Sequence, residues 1–509
     1  MNIGTPTTQR RQAGLAAVQG WFDSLDGPRG LYRILFVVVA IAVGAASAIE
    51  PAVAALIVVA AIVAMALLVI GTRVAQVFLG AVAVLLIGYA FFGRSFAYVG
   101  VAPLYLGELV MPVAFLALLR GRRLGTLQPI HLLLLAFMAL GALRTIPYLG
   151  IHGIDALRDA VTWGYATYAI VVAFVLTEDH LRAGIGIYRR LIPVLVVWVP
   201  IAAVLTTLVA LPTVPGSNVP IVVFKGGDFG VHLAGVAAFV FLGLYATGYG
   251  WRLAEPLLWV LWLGAVAVAG ILNRGGLIAA SMSAAVVLYV RAASRWLTLL
   301  FVALALMVPL ILVDPVIRLG TGRELSVGQM IDNVTSVFGQ ADDAGLEGTK
   351  EFRLRWWGAI ADYTIAGPYF WTGKGFGINL ADDDGFQPTA DRSLRAPHNG
   401  HVEILARMGV PGLVLWIALH AVYGLSLLRA ANRARARGDL FWVQILGFVF
   451  IYWLAALVNA SFDPYLQGPQ GGIWFWTIFG VGLAAMRISD SRGSEAAPAP
   501  ERESGVARP

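Results

Sequence analysis

Apolar runs of membrane-spanning length recur along almost the whole chain, broken by short polar connections and by one long polar segment at 315–397. Runs near 31–49, 52–71, 74–93, 105–119, 128–146, 162–177, 191–211, 229–248, 257–272, 276–290, 297–314, 411–428, 440–460 and 472–486 approach the ~20 residues that a helix needs to cross a hydrocarbon core. The pattern predicts an all-α, polytopic membrane bundle of about 14 transmembrane helices, with about 12 as the alternative count. Several runs are short, and for one such as 105–119 a re-entrant segment is the alternative to a span. The order divides the chain into a polar N-terminal segment 1–30, transmembrane helices over 31–314, the long loop 315–397 with short helices, a motif-bearing helix with the last spans over 398–486, and a tail 487–509. The tail is rich in Ala, Pro, Glu and Arg, a composition that predicts disorder.

Composition narrows the class. With 59% hydrophobic and 13% charged residues, and a mean hydropathy of +0.79, a soluble globule would expose far too much apolar surface. The absence of cysteine excludes disulfides, thiol nucleophiles and Cys-ligated zinc. Ala46-Ser47-Ala48 has the look of a signal-peptide cleavage site, but the run from Leu31 is longer than a signal core and further spans follow, so an uncleaved anchor is expected.

The net charge of +7 comes mostly from arginine, and in such a chain it reads as topology rather than nucleic-acid binding. Arg120, Arg122 and Arg123, then Arg182, Arg189 and Arg190, then Arg252, then Arg291 and Arg295, then Arg429, Arg433, Arg435 and Arg437 fall in alternate short loops, with both termini. Those loops are expected to be cytoplasmic. The same parity puts 315–397 outside, on a side that keeps few cations: Arg94, Arg144, Arg158, Lys225 and Arg274. A cation kept there needs another reason to be present.

The long polar segment closes on Arg395-Ala396-Pro397-His398-Asn399-Gly400-His401, followed by Glu403, Arg407 and Gly409-Val410-Pro411-Gly412. Pro397 ends what precedes it and Asn399 is a strong N-cap residue, so His398 is expected at the mouth of a new helix. Glu403 and Arg407, four apart, support its first turns, and the Gly/Pro cluster breaks or kinks it where the apolar part begins. A bland reading of His398 as a helix-capping residue stands beside a catalytic one.

This stretch resembles the signature of the O-antigen ligase and polymerase superfamily: a His followed by Asn, Ser or Gln, then Gly-x-x-Gly, here His398-Asn399 and Gly409-x-x-Gly412. Asn273-Arg274-Gly275-Gly276 resembles the family's arginine followed by small residues at an outer helix end, against the plainer reading of an interfacial snorkelling arginine. Arg353, Trp357 and Gly367-Pro368, with Gly373 and Gly375 in the Gly-x-Gly turn, resemble its Arg, Trp, Pro and Gly-x-Gly order. Arg355 is the nearest rival to Arg353, and a solvated helix face is the alternative for both. Phe96–Glu108, Ala156–Ala160 and Phe224–Asp228 resemble one branch of the superfamily. Arg158, Lys225 and Asp228 there, and Asp463 between the last spans, are candidate walls of the same cavity, with local ion pairs as the default reading.

The resemblance implies a membrane glycosyltransferase of the multi-pass plasma (inner) membrane. Its donor would be a glycan on polyprenyl diphosphate at the external face, its acceptor a hydroxyl of a glycan or glycolipid. In that reading His398 is the base, Arg274 and Arg353 (or Arg355) bind the donor diphosphate, no cofactor or metal is needed, and the anomeric carbon inverts. A base near the ordinary histidine pKa of about 6.5 would lose activity as pH falls through that value. A polysaccharide polymerase of the same superfamily and a lipid-linked sugar transporter are the alternatives. The run Asp382-Asp383-Asp384 is read as a solvated turn rather than a cation site.

Overall fold

The computed structural model describes residues 73–101, 104–120, 128–245, 254–272, 317–318, 324–325, 344–388 and 390–495. The expected spans at 31–49, 52–71, 276–290 and 297–314 lie outside the described residues, as does Arg274. Within them the regular structure is helical apart from an isolated bridge between Thr213 and Pro220 and two antiparallel ladders of two-residue strands. These are β1 (Gly100–Val101) with β2 (Leu104–Tyr105), and β3 (Ile317–Arg318) with β4 (Glu324–Leu325).

The helices are α1 (Val74–Phe92), α2 (Leu106–Arg120), α3 (Pro129–His152), α4 (Ile154–Gly164), α5 (Ala166–Val175), α6 (Glu178–Leu208), α7 (Gly226–Phe241) and α8 (Ala254–Leu272). They continue with α9 (Ala344–Ile365), α10 (Leu380–Asp383), α11 (Gly400–Ala436), α12 (Leu440–Asn459) and α13 (Pro469–Glu495). Six of the described helices, α1 with its following 3₁₀ turn, α3, α6, α11, α12 and α13, are long and apolar enough to cross a membrane, and α2, α5, α7 and α8 are shorter apolar helices. Local sequence sets several of the starts. Thr177 caps α6 ahead of Glu178 and Asp179 in its first turn, Asp439 caps α12, and Pro129 opens α3 where a missing N–H costs nothing.

Residues 73–78 and 112–120 belong to one compact unit, and 79–111 with residues from 128 onward to a second. In the second unit α13 lies along α5, α12 and α11; α11 also packs on α3 and α12; and α7 is enclosed between α8 and α12. The centre is aromatic. Trp416 meets His420 edge-on at 3.9 Å, and Tyr423 stacks on Phe479 at 3.8 Å while its hydroxyl donates to the Phe479 carbonyl at 3.0 Å. Rings of this size contribute large buried area and a preferred geometry in one residue.

The predicted span 162–177 is not one helix. The chain breaks at Tyr165 into α4 and α5, and the 10 residues of α5 rise only about 15 Å, half of a ~30 Å hydrocarbon core. The break is fixed by side chains that hydropathy does not register: Tyr165 donates to Glu108 Oε1 at 2.6 Å and Tyr168 to the Gly107 carbonyl at 2.6 Å. Similarly, residues 229–241 of the run 229–248 lie in α7, whose residues are all buried, so their apolar character reflects enclosure by protein.

Arginines gather at one end of this unit. Arg492 pairs with Glu178 at 2.7 Å, Arg433 with Asp490 at 2.8 Å, and Arg437 donates to the Ser489 carbonyl at 3.0 Å. The starts of α7 and α11 and the turn after α12 lie together at the opposite end.

Candidate active site

His398 precedes α11 in a backbone conformation rare outside glycine, with φ 53°. Its neighbours are pinned. Trp357 Nε1 donates to the Pro397 carbonyl at 2.7 Å, Asn399 Oδ1 accepts from the backbone of His401 (2.9 Å) and Val402 (3.1 Å), and Gly400 N donates to the Ala460 carbonyl at 2.7 Å. His401 is spoken for within the helix packing: Trp416 Nε1 donates to its Nδ1 at 2.9 Å, which leaves Nε2–H to donate to the Leu457 carbonyl at 3.2 Å.

The groups acting on His398 come from separate elements: Arg353 on α9, Lys225 before α7 and Asp463 in the turn after α12. Partial burial, and then the positive charge of Arg353, push the imidazole down to about 4, with Lys225 acting the same way and Asp463 against it. This corrects the expectation of an ordinary histidine. Lys225 Nζ is paired with Asp463 Oδ1, and Arg353 Nη1 donates to the Phe462 carbonyl at 3.2 Å. Asp228 stands in the first turn of α7, only 6% exposed, and its Oδ1 accepts no hydrogen bond among the described residues. Arg94 completes the cluster electrostatically, its charge reaching Lys225, while its Nη2 donates to Tyr98 Oη at 2.8 Å.

The rest of the motif builds the support. Gly409 has φ 68° and ψ −170°, which breaks α11. The turn sends Val410 N to the Phe370 carbonyl at 2.8 Å instead of back to Ala406, and Pro411 has no N–H to return to Arg407. The two carbonyls so released are taken by the Gly-x-Gly turn: Lys374 N donates to Ala406 O at 2.7 Å and Gly375 N to Arg407 O at 3.1 Å. Gly373, at φ 58°, lies against the Arg407 backbone where a Cβ would collide, and Gly412 leaves room for Met408. The turn is therefore a clamp on the helix break.

A buried ionic network locks the same region. Arg407, 1% exposed, pairs with Glu403 at 2.8 Å and Asp159 at 3.0 Å, and Arg395 reaches Asp159 at 3.2 Å. Glu403 and Arg407 thus form a buried pair, where removing one partner is costly. Lys374 is held above the ordinary lysine range, because its bonds to Asp383 and Asp384, each at 2.5 Å, outweigh the burial that opposes its charge. The expected solvated acidic turn is in part a lysine anchor.

Of the residues singled out in the sequence, His398, Arg353, Lys225, Asp228 and Asp463 come together. Two do not. Arg355 is exposed and lies 3.9 Å from Glu351, and Arg158 is exposed and pairs with Asp155 (3.3 Å) and Asp159 (3.7 Å). Arg94 was not among the site residues expected, and its one sequence signal is a cation retained on the sparsely charged side.

A helical, multi-pass membrane protein with a histidine set among cations at one helix end is the class that fold and site define. Residues 259–417 match the family described as O-Antigen ligase, which supports membership of the O-antigen ligase superfamily. The match includes Arg353, His398, Gly409 and Gly412. A comparison with curated proteins gives no match.

Proposed function

We propose that the protein transfers a glycan from a polyprenyl-diphosphate donor to a hydroxyl of a glycan or glycolipid acceptor at the external membrane face. The observation that carries this reading is His398 at the mouth of α11, with Arg353 and the Lys225–Asp463 pair as the charges that act on it. In the transfer, the acceptor O–H proton passes to the neutral His398 imidazole as its oxygen bonds to the anomeric carbon. The bond from that carbon to the phosphate oxygen breaks, and the diphosphate leaves with the electron pair. Attack from the face opposite the leaving group inverts the anomeric centre. Arg353, with Arg274, neutralises the departing charge, since a guanidinium fork matches phosphate oxygens. With guanidinium groups neutralising the diphosphate in this reading, the reaction runs without added metal.

The test is transfer by purified protein in excess EDTA, using a polyprenyl-diphosphate glycan. Wild type keeps its activity, and Arg353→Ala loses about one to two powers of ten in donor affinity, the worth of one charge-assisted contact. Lysine at 353 restores part of it, and Arg355→Ala stays near wild type. Activity lost in EDTA and restored by magnesium, or donor affinity unchanged in Arg353→Ala, would contradict the reading.

A further inference from the structure

The members of the Lys225–Asp463 pair are unequally anchored. The Asp463 side chain is 6% exposed, in a turn whose backbone is tied down at Ala460 by Gly400 N and at Phe462 by Arg353. The Lys225 side chain is 35% exposed and ends a flexible four-carbon stem. Lys225 also feels more than one carboxylate. Burial works against its charge, but Asp228 and Asp463 together hold it above the ordinary lysine range, with Arg94 opposing them. Tyr465, two residues beyond Asp463, feels the same two carboxylates. His398 feels both members of the pair with opposite sign: Lys225, like Arg353, disfavours a charged imidazole, and Asp463 favours it.

We propose that Lys225 is a positioning residue that changes partners, leaving Asp463 for the diphosphate of an arriving donor, so that Asp463 acts on His398 without the opposing charge of Lys225 only while donor is bound. The inference rests on the donor and base assigned above. A diphosphate carries more charge than one carboxylate and draws a mobile ammonium strongly. Asp463 cannot follow, because it is buried in a fixed turn. The histidine is thus a weak base in the empty site and a stronger one when there is a glycosyl group to transfer. Lys225, Asp228 and Asp463 all lie outside the matched residues 259–417.

The acid edge of kcat/KM reports the free enzyme and that of kcat the donor complex. Both are measured with a polyprenyl-diphosphate glycan at saturating acceptor, for wild type, Lys225→Met, Asp463→Asn and the double variant. In wild type the kcat edge lies about one pH unit or more above the kcat/KM edge. The diphosphate's own charge supplies part of this gap in every variant, and the exchange adds the part that depends on Lys225. Lys225→Met raises the kcat/KM edge by about one unit, narrows the gap, and weakens donor binding about tenfold. Asp463→Asn lowers both edges, because the charge that favours the imidazolium is gone in either state, and leaves the gap near that of wild type. The double variant removes both charges of the pair, and it also has the narrow gap. If Lys225→Met raises both edges equally, Lys225 is a fixed charge and the exchange is wrong. Should a single variant fail to fold, a wild-type gap in the double variant overturns the proposal by itself. An acid edge unchanged in His398→Asn would overturn the base assignment, and that result does not involve the pair.

Discussion

His398 holds a left-handed backbone and stands where a proton must be accepted, and these two demands select different residues. Asparagine tolerates positive φ better than most but has no basic nitrogen, whereas alanine loses the base and also carries conformational strain on the order of 1 kcal/mol or more. His398→Asn is therefore expected to keep the thermal stability of the purified protein and donor binding while turnover falls by about two to four powers of ten. His398→Ala is expected to lose the same turnover and melt lower. A nearly active asparagine variant would leave His398 a helix-entry residue only. The base acts in its neutral form, so activity is lost as pH falls through its pKa. With the free-enzyme imidazole pushed down to about 4, kcat/KM should hold through pH 6 and decline near that value. An edge at 6.5 in kcat/KM would show that Arg353 and Lys225 do not act on it as described.

The helix break in α11 is an element-scale device, because it releases the carbonyls of Ala406 and Arg407 to a distant segment. Gly409→Ala forces a Cβ into the Phe370 carbonyl at a φ of 68° and costs on the order of 1 to 3 kcal/mol for the backbone conformation alone. The expected result is a lower melting temperature together with faster amide exchange at Lys374 and Gly375. Unchanged exchange there would mean that the clamp does not depend on the break. Much of α11 was legible in the sequence: Asn399 as cap, Glu403 with Arg407 as a pair, Gly409 and Pro411 as a break. These are local signals, each decided within a turn or two of chain. The clamp was not legible, because a backbone bond from Gly375 to Arg407 leaves no trace in side-chain pattern. Nor was the break at Tyr165 inside an unbroken apolar run, since hydropathy records what surrounds a segment and not where its backbone turns.

At the scale of the molecule, charge among the described residues of the larger unit is sorted by position. Exposed arginine pairs such as Arg433 with Asp490 and Arg492 with Glu178 collect at one end of the larger unit, and His398, Lys225, Asp463, Arg353 and Arg94 at the other. The alternation of arginines in short loops is the sequence signal that corresponds to this sorting, because each span carries the chain to the other end. The role of Arg94 was not readable, since only the fold brings its 3₁₀ turn beside the residues that precede α7, through Val223 N on the Phe92 carbonyl at 3.3 Å. The arginine-rich end belongs in the cytoplasm if the rule that positive loops stay inside governs this chain, and the site then faces outward. The cysteine-free sequence makes this testable with single substitutions at two exposed positions: Ala390→Cys near the site end and Ala436→Cys at the end of α11. An impermeant maleimide applied to intact cells, or to vesicles with the external face outward, is expected to label the first at once and the second only after permeabilisation. The reverse order would place His398 on the cytoplasmic side, where a donor glycan would need no translocation before transfer.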